Sequence, residues 1–131
     1  MNGYLLDTNI IIDFLRNKRE IIEVVNGLLG KIYTSIICVA ELYEGVYRVE
    51  NSQKYEERIL THLNTYNQIY SLDFDICRHF GEIRASLKKK GEKIEDLDIF
   101  IAATCVANDL ILVTKNPKHF SRIPALQIKG V

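Results

Sequence analysis

Short apolar runs alternate along this chain with longer stretches in which apolar residues return every three or four positions. Tyr4-Leu5-Leu6, stopped at Asp7, reads as a buried strand. Residues 32–34, 69–72, 110–113 and 125–128 give four more runs, short, mostly apolar and often β-branched, as in parallel strands covered on both faces. Helical spacing fills the gaps. Residues 8–16 follow the first strand directly, and 20–29 form a second helix stopped by Gly30. Ser35 can cap a third that runs to about residue 48, with Val39, Leu42, Val46 and Val49 on one face. Residues 52–66 are amphipathic through Tyr55, Ile59, Leu63 and Tyr66; residues 75–90 through Ile76, Phe80, Ile83 and Leu87, ended by Gly91. Residues 98–107 are apolar nearly all round, which predicts a central, buried helix. The pattern predicts an α/β fold: a three-layer α/β/α sandwich on a parallel sheet of about five strands.

With 131 residues, 47% of them hydrophobic, the chain suits a single domain over 1–131 that can bury its own core. Its 17 basic and 17 acidic residues cancel, so overall charge gives no pull toward nucleic acid and only a local basic patch could. No apolar run reaches the ~20 residues of a membrane span, and Met1-Asn2-Gly3 lacks the basic start of a leader. A cytoplasmic protein without a membrane partner is expected. Cys38, Cys77 and Cys105 are odd in number, without C-x-x-C spacing, and read as reduced, buried thiols. His62, His79 and His119 are not at zinc-ligand spacing.

Three acidic residues sit where solvated helix faces do not account for them. Asp7 follows a buried strand, at the edge where open parallel sheets place their ligand crevice. Glu41 interrupts the apolar stretch Ile36-Ile37-Cys38-Val39-Ala40-Glu41-Leu42, and Asp98 opens the most apolar helix. Each has a plainer use: Asp7 and Asp98 (or Asp96) as helix caps, Glu41 at the edge of its stripe. Three lone carboxylates at half-buried positions are costly, however, and a divalent cation removes that cost. Oxygen ligands from separate elements suit Mg²⁺ or Mn²⁺. The segment Val113-Thr114-Lys115-Asn116-Pro117 leaves a strand either as an ordinary turn or with Asn116 completing the shell and Thr114 orienting a ligand; Thr8 can act likewise.

Leu5-Leu6-Asp7-Thr8-Asn9 with Asp13, then Ser35 to Leu42 around Glu41, then Asp98-Ile99-Phe100-Ile101-Ala102-Ala103, then Val113-Thr114-Lys115-Asn116 with Phe120, resemble in order the successive motifs of a PIN domain. Order, spacing and length are most similar to the VapC-type toxin ribonucleases of toxin–antitoxin pairs. The resemblance implies that Asp7, Glu41 and Asp98 are catalytic metal ligands and that Asn116 fills a fourth position often held by Asp. Asp96 lies about 200° around a helix from Asp98 and can join them only from a preceding loop.

The resemblance implies an endoribonuclease, the toxin of a type II pair, with RNA as substrate, an antitoxin as partner and a homodimer as assembly. The acidic cluster supports metal-dependent phosphodiester hydrolysis on its own chemistry. With no histidine or Ser–His pair near these motifs, a histidine acid–base or covalent ribonuclease is not expected. Arg84, Lys88, Lys89, Lys90 and Lys115 are candidate phosphate contacts, the three lysines equally a solvated helix end. A phosphoacceptor receiver domain, with Asp73 and Lys115 as acceptor and lysine, is a rival that leaves Glu41 and Asp98 unused. A PIN fold serving RNA processing, or one that only binds RNA or a partner, is another. Tyr43, Tyr47, Tyr55 and Tyr66 suggest an apolar groove for self-association and the antitoxin, or rings turned inward with their hydroxyls in water.

Overall fold

The computed structural model describes residues 2–131. Met1, which opens the stretch read as lacking a leader, lies outside the described residues. The elements run β1 (Gly3–Leu6), α1 (Thr8–Leu15), α2 (Arg19–Gly27), β2 (Ile32–Ser35), α3 (Ile36–Val46), α4 (Ser52–Leu63), β3 (Gln68–Tyr70), α5 (Phe74–Lys89), α6 (Asp96–Asn108), β4 (Leu110–Thr114), α7 (Pro117–Phe120) and β5 (Gln127–Gly130).

All five strands are parallel, in the order β3-β2-β1-β4-β5. The central strands β1, β2 and β4 are buried along almost their whole length, because helices cover both faces of the sheet. The outer strands β3 and β5 are more exposed and their limits differ from the apolar runs: β3 opens at Gln68, just before its run, and ends at Tyr70, while β5 opens later than its run, at Gln127. Pairing with a neighbour, rather than hydrophobicity, sets their limits, as in Ile111 opposite Gln127.

The chain leaves β1 for β2 and β3 on one side, then returns past β1 to β4 and β5 on the other. The order therefore reverses between β1 and β4. A crevice opens outside the carboxyl ends of strands at such a switch point. Asp7 and Thr114 stand at its two lips.

The helices follow the hydrophobic periods with small shifts. In α3 the buried stripe is Cys38, Leu42 and Val46, while Val49 falls beyond the helix end and is exposed. Ser35 caps this helix through the Ile37 N–H, as its position suggests. Lys90 ends α5, and Gly91 follows at φ 70, a left-handed turn that glycine adopts without strain. Helix α6 is the buried centre, with Ile99, Ile101, Ala102, Ala103 and Cys105 all within the core. Cys38 and Cys105 are buried, but Cys77 is exposed because it lies on the outer face of α5, away from the Ile76, Ile83 and Leu87 stripe. Among the described residues no helix is long and apolar enough to cross a membrane.

The four tyrosines divide. Tyr66 is buried beside His62, its hydroxyl 3.0 Å from Nε2. Tyr43 donates to Glu56 at 2.6 Å and Tyr55 is half-buried against the core, whereas Tyr47 is 77% exposed. Tyr66 is turned inward with its hydroxyl buried as well, rather than in water, and Tyr47 is turned outward. A groove of about 550 Å³ does lie on this side, between α3, α4 and β3, lined by Ile36, Val39, Tyr43, Leu60 and Ile69.

Candidate active site

The last hydrogen bond of the β1–β4 ladder runs from the Asp7 N–H to the Val113 carbonyl, at 3.0 Å, so Asp7 leaves the sheet with its backbone still extended. Oδ1 accepts from the Thr8 N–H at 2.9 Å and caps α1, while Oδ2 accepts from the Thr114 hydroxyl at 2.8 Å. The residue is only 6% exposed. Burial raises the pKa of its carboxyl, the Thr114 and Thr8 bonds oppose that rise, and the negative charges of Asp98 and Glu41 add to it. The cap and the acidic cluster are thus both real: one oxygen starts the helix, and the group still shares its field with two other acids.

Thr8 turns its hydroxyl to Glu41, donating to Oε1 at 2.6 Å and tying α1 to α3. Asp98 enters from the first turn of α6, its Oδ2 2.9 Å from Nε2 of His119. Asn116 holds the N-cap position of α7 without capping it by its side chain. Its N–H instead donates to the Thr114 hydroxyl at 3.1 Å. Beneath them the Leu6 carbonyl accepts from the hydroxyl of Thr34 at 3.0 Å and touches the Cys38 thiol at 3.8 Å, fixing the end of β1. Burial pushes that thiol up to about 12, so it is no nucleophile.

Asp7, Glu41, Asp98 and Asn116 therefore line one cleft of about 230 Å³, with Thr8, Asn9 and His119 in its walls. Thr114 stands behind Asp7, as a residue that orients it. Asp96 does not line the cleft. The helix begins two residues earlier than its apolar pattern suggests, so Asp96 is already helical, turns outward, and pairs with Arg84 at 2.9 Å. Arg84 is thereby engaged, and Lys115 is engaged as well, bound at 2.5 Å to the buried Asp13. Lys88, Lys89 and Lys90 are exposed at the end of α5, outside the cleft.

Two polar cleft residues, His119 and Asn9, are given no role in the site by the sequence alone. His119 corrects the expectation that no histidine lies near the acids; a four-residue helix has no period to reveal its facing. Asn9 carries a side-chain oxygen that is buried without a hydrogen-bond partner among the described residues. It adjoins Asp7 and Thr8, which is the one hint the sequence offers.

As they stand, no three His, Cys, Asp or Glu side chains among the described residues form a closed ion cage. Thr8, Thr114 and His119 hold the carboxylate oxygens instead. The donor set nevertheless fits a hard divalent ion: a buried Asp7 carboxyl that the charges of Asp98 and Glu41 help to raise, a neutral amide at Asn116, and the Asn9 oxygen, unpartnered among the described residues.

The profile of the PIN domain family matches residues 4–126. The chain belongs to the PIN domain family. This PIN domain is 39% identical over 133 residues to Ribonuclease VapC2 of Haemophilus influenzae, covering 99% of this chain and 98% of that one. It is 33% identical to the tRNA(fMet)-specific endonuclease VapC of Shigella flexneri, over 97% and 96% of the two chains. Among solved structures it resembles DNA-bound VapBC from Salmonella typhimurium, with TM-score 0.92, 28% identity and coverage of 99% and 98%. VapBC-1 from nontypeable Haemophilus influenzae is similar at TM-score 0.85 and 35% identity, over 97% and 96%.

Proposed function

We propose that this PIN domain, acting as one unit over 1–131, is the endoribonuclease toxin of a toxin–antitoxin pair, and that it works in the cytoplasm with Mg²⁺ or Mn²⁺ held by Asp7, Glu41 and Asp98. The observation that carries this reading is the delivery of three carboxylates by three separate elements to one cleft at the sheet's switch point. When bound, the cation supplies the positive charge that offsets a scissile phosphate and acidifies the attacking water.

The chain's own residues do the rest. Asp7, Glu41 and Asp98 bind, Thr8 and Thr114 fix two of them, and Asn116 lines the cleft without adding a fourth negative charge against a polyanion. The exposed Lys88, Lys89 and Lys90 offer phosphate contacts outside the cleft. His119 is committed to Asp98 and has no second histidine beside it, which disfavours histidine acid–base cleavage. The receiver reading loses its residues: Asp73 caps α5 through the Ile76 N–H at 2.9 Å, and Lys115 pairs with Asp13.

The apolar groove beside α3, in which Ile36 is 42% and Leu60 48% exposed, suits an antitoxin segment, in keeping with the VapBC complexes this chain resembles. A homodimer agrees with the exposed Tyr47 and remains part of the proposal.

The test is cleavage of end-labelled RNA, beginning with the initiator tRNA for which the Shigella relative is named. Cutting in Mg²⁺ or Mn²⁺, abolished by chelator and by Asp98→Asn, is expected. Full activity in excess chelator, or no cleavage of any RNA with either ion, contradicts the reading.

A further inference from the structure

Asp98 is held from outside its own element: it sits half-buried in the first turn of α6, and among the described residues its Oδ1 receives no hydrogen bond. Its Oδ2 meets His119, and His119 is itself held from behind. Arg122 places a guanidinium nitrogen 3.1 Å from Nδ1 of the ring, donates from Nε to the His119 carbonyl at 3.2 Å, and donates from a terminal nitrogen to the Lys93 carbonyl at 2.9 Å. A guanidinium has only protons to give. Nδ1 therefore accepts, the ring proton belongs on Nε2, and Nε2 donates to Asp98. The ring plane is set from the side by Phe120, a buried anchor whose ring lies edge-on at 5.1 Å. His119 also sits on the short helix opened by Pro117, which keeps the turn stiff.

We infer that His119, oriented by Arg122, is a positioning residue that fixes the Asp98 carboxylate with one oxygen bonded and the other left for the divalent ion. This rests on the proposed function. Without the imidazole, Asp98 faces the like charges of Asp7 and Glu41 on a freely rotating side chain, and part of the binding free energy goes to recapturing its rotamer. Outer partners of this kind typically change metal affinity about 10–100-fold.

The experiment is calorimetric titration of Mn²⁺ into the whole protein, with kcat and KM on RNA measured alongside. His119→Leu is expected to weaken Mn²⁺ binding about tenfold or more, and His119→Gln, which retains an N–H donor, to restore most of it. Arg122→Met is expected to weaken binding by a smaller factor, and to cost nothing further when added to His119→Leu, since it acts through the ring. Nitrogen NMR of the wild-type imidazole should find the proton on Nε2. Wild-type Mn²⁺ affinity in His119→Leu, full additivity of the two substitutions, or a proton on Nδ1 overturns the inference. Should His119→Leu fail to fold, Arg122→Met, His119→Gln and the wild-type NMR decide it. A wild type that binds no Mn²⁺ and cuts no RNA overturns the proposed function itself; one that does both, with unchanged variants, overturns only the role of His119.

Discussion

Asp7 spends one carboxylate oxygen on the start of α1 and the other on Thr114, yet the group stays in the field of two further acids. An asparagine there keeps an oxygen for the Thr8 N–H, and the Thr114 hydroxyl can rotate to accept from its amide. Asp7→Asn should therefore abolish RNA cleavage while metal-free stability stays equal to or above wild type, within about 1 kcal/mol. The sign follows from the raised carboxyl: the native state holds that proton more tightly than the unfolded chain, so metal-free stability falls as pH rises through the raised value. Urea denaturation in a pH series rising from about 3.8 to 7.5 reads both effects. A clear loss of stability in the variant, or retained cleavage, contradicts the assignment. At this scale the acids were legible because a charge inside an apolar run is conspicuous. His119 and Asn9 were not, since their importance comes from an approach of α6, α7 and the β1 end that no local pattern encodes.

Helix α1 is tied to the far lip of the crevice by Asp13, buried near its end, which accepts from Lys115 at 2.5 Å and pairs with Lys18 at 3.3 Å. Burial alone would raise this carboxyl, but the bonds and charges of Lys115 and Lys18 outweigh it and hold it below the usual carboxylate range. Its contribution is present above the unfolded value of 3.8 and is lost as pH falls through the lower folded value. Asp13→Asn should cost about 1–2 kcal/mol at pH 7, with the gap to wild type closing below pH ~4. Thermal or chemical denaturation across that range checks it; equal stability at pH 7 would refute the tie. The same element shows what a sequence hides, because Asp13 stands in the first motif with no partner visible along the chain until the turn after β4 supplies Lys115. Long helices announced themselves by period. The start of α6 did not, because Asp96 and Leu97 continue it with one side chain paired outward to Arg84 and the other exposed. Nor did α7, too short for a period and opened by a proline that reads equally as a turn.

The sheet order, with its reversal between β1 and β4, makes one cleft from residues scattered along the whole chain, and it also leaves α3 and α4 free to present a groove on another side. The two surfaces should be separable. Leu60→Asp, on the groove and away from the acids, is expected to weaken capture of the cognate antitoxin at least tenfold while RNA cleavage by the free protein is unchanged. Co-purification with the antitoxin and a cleavage assay read the two halves, and equal loss of both would show that the groove and the cleft are one site. The alternation of strands and helices made the three-layer fold legible, whereas the exposed residues of the groove needed the packed structure, since Tyr66 and Tyr47 look alike along the chain and end up on opposite sides of its surface. The central claim is that Asp7, Glu41 and Asp98 form one cation site, and anomalous diffraction from crystals grown with Mn²⁺ tests it most directly. A peak coordinated by oxygens of all three, outside the carboxyl ends of β1 and β4, is the predicted result; an empty cleft in a protein that still cuts RNA with Mn²⁺, or an ion held elsewhere, would contradict it.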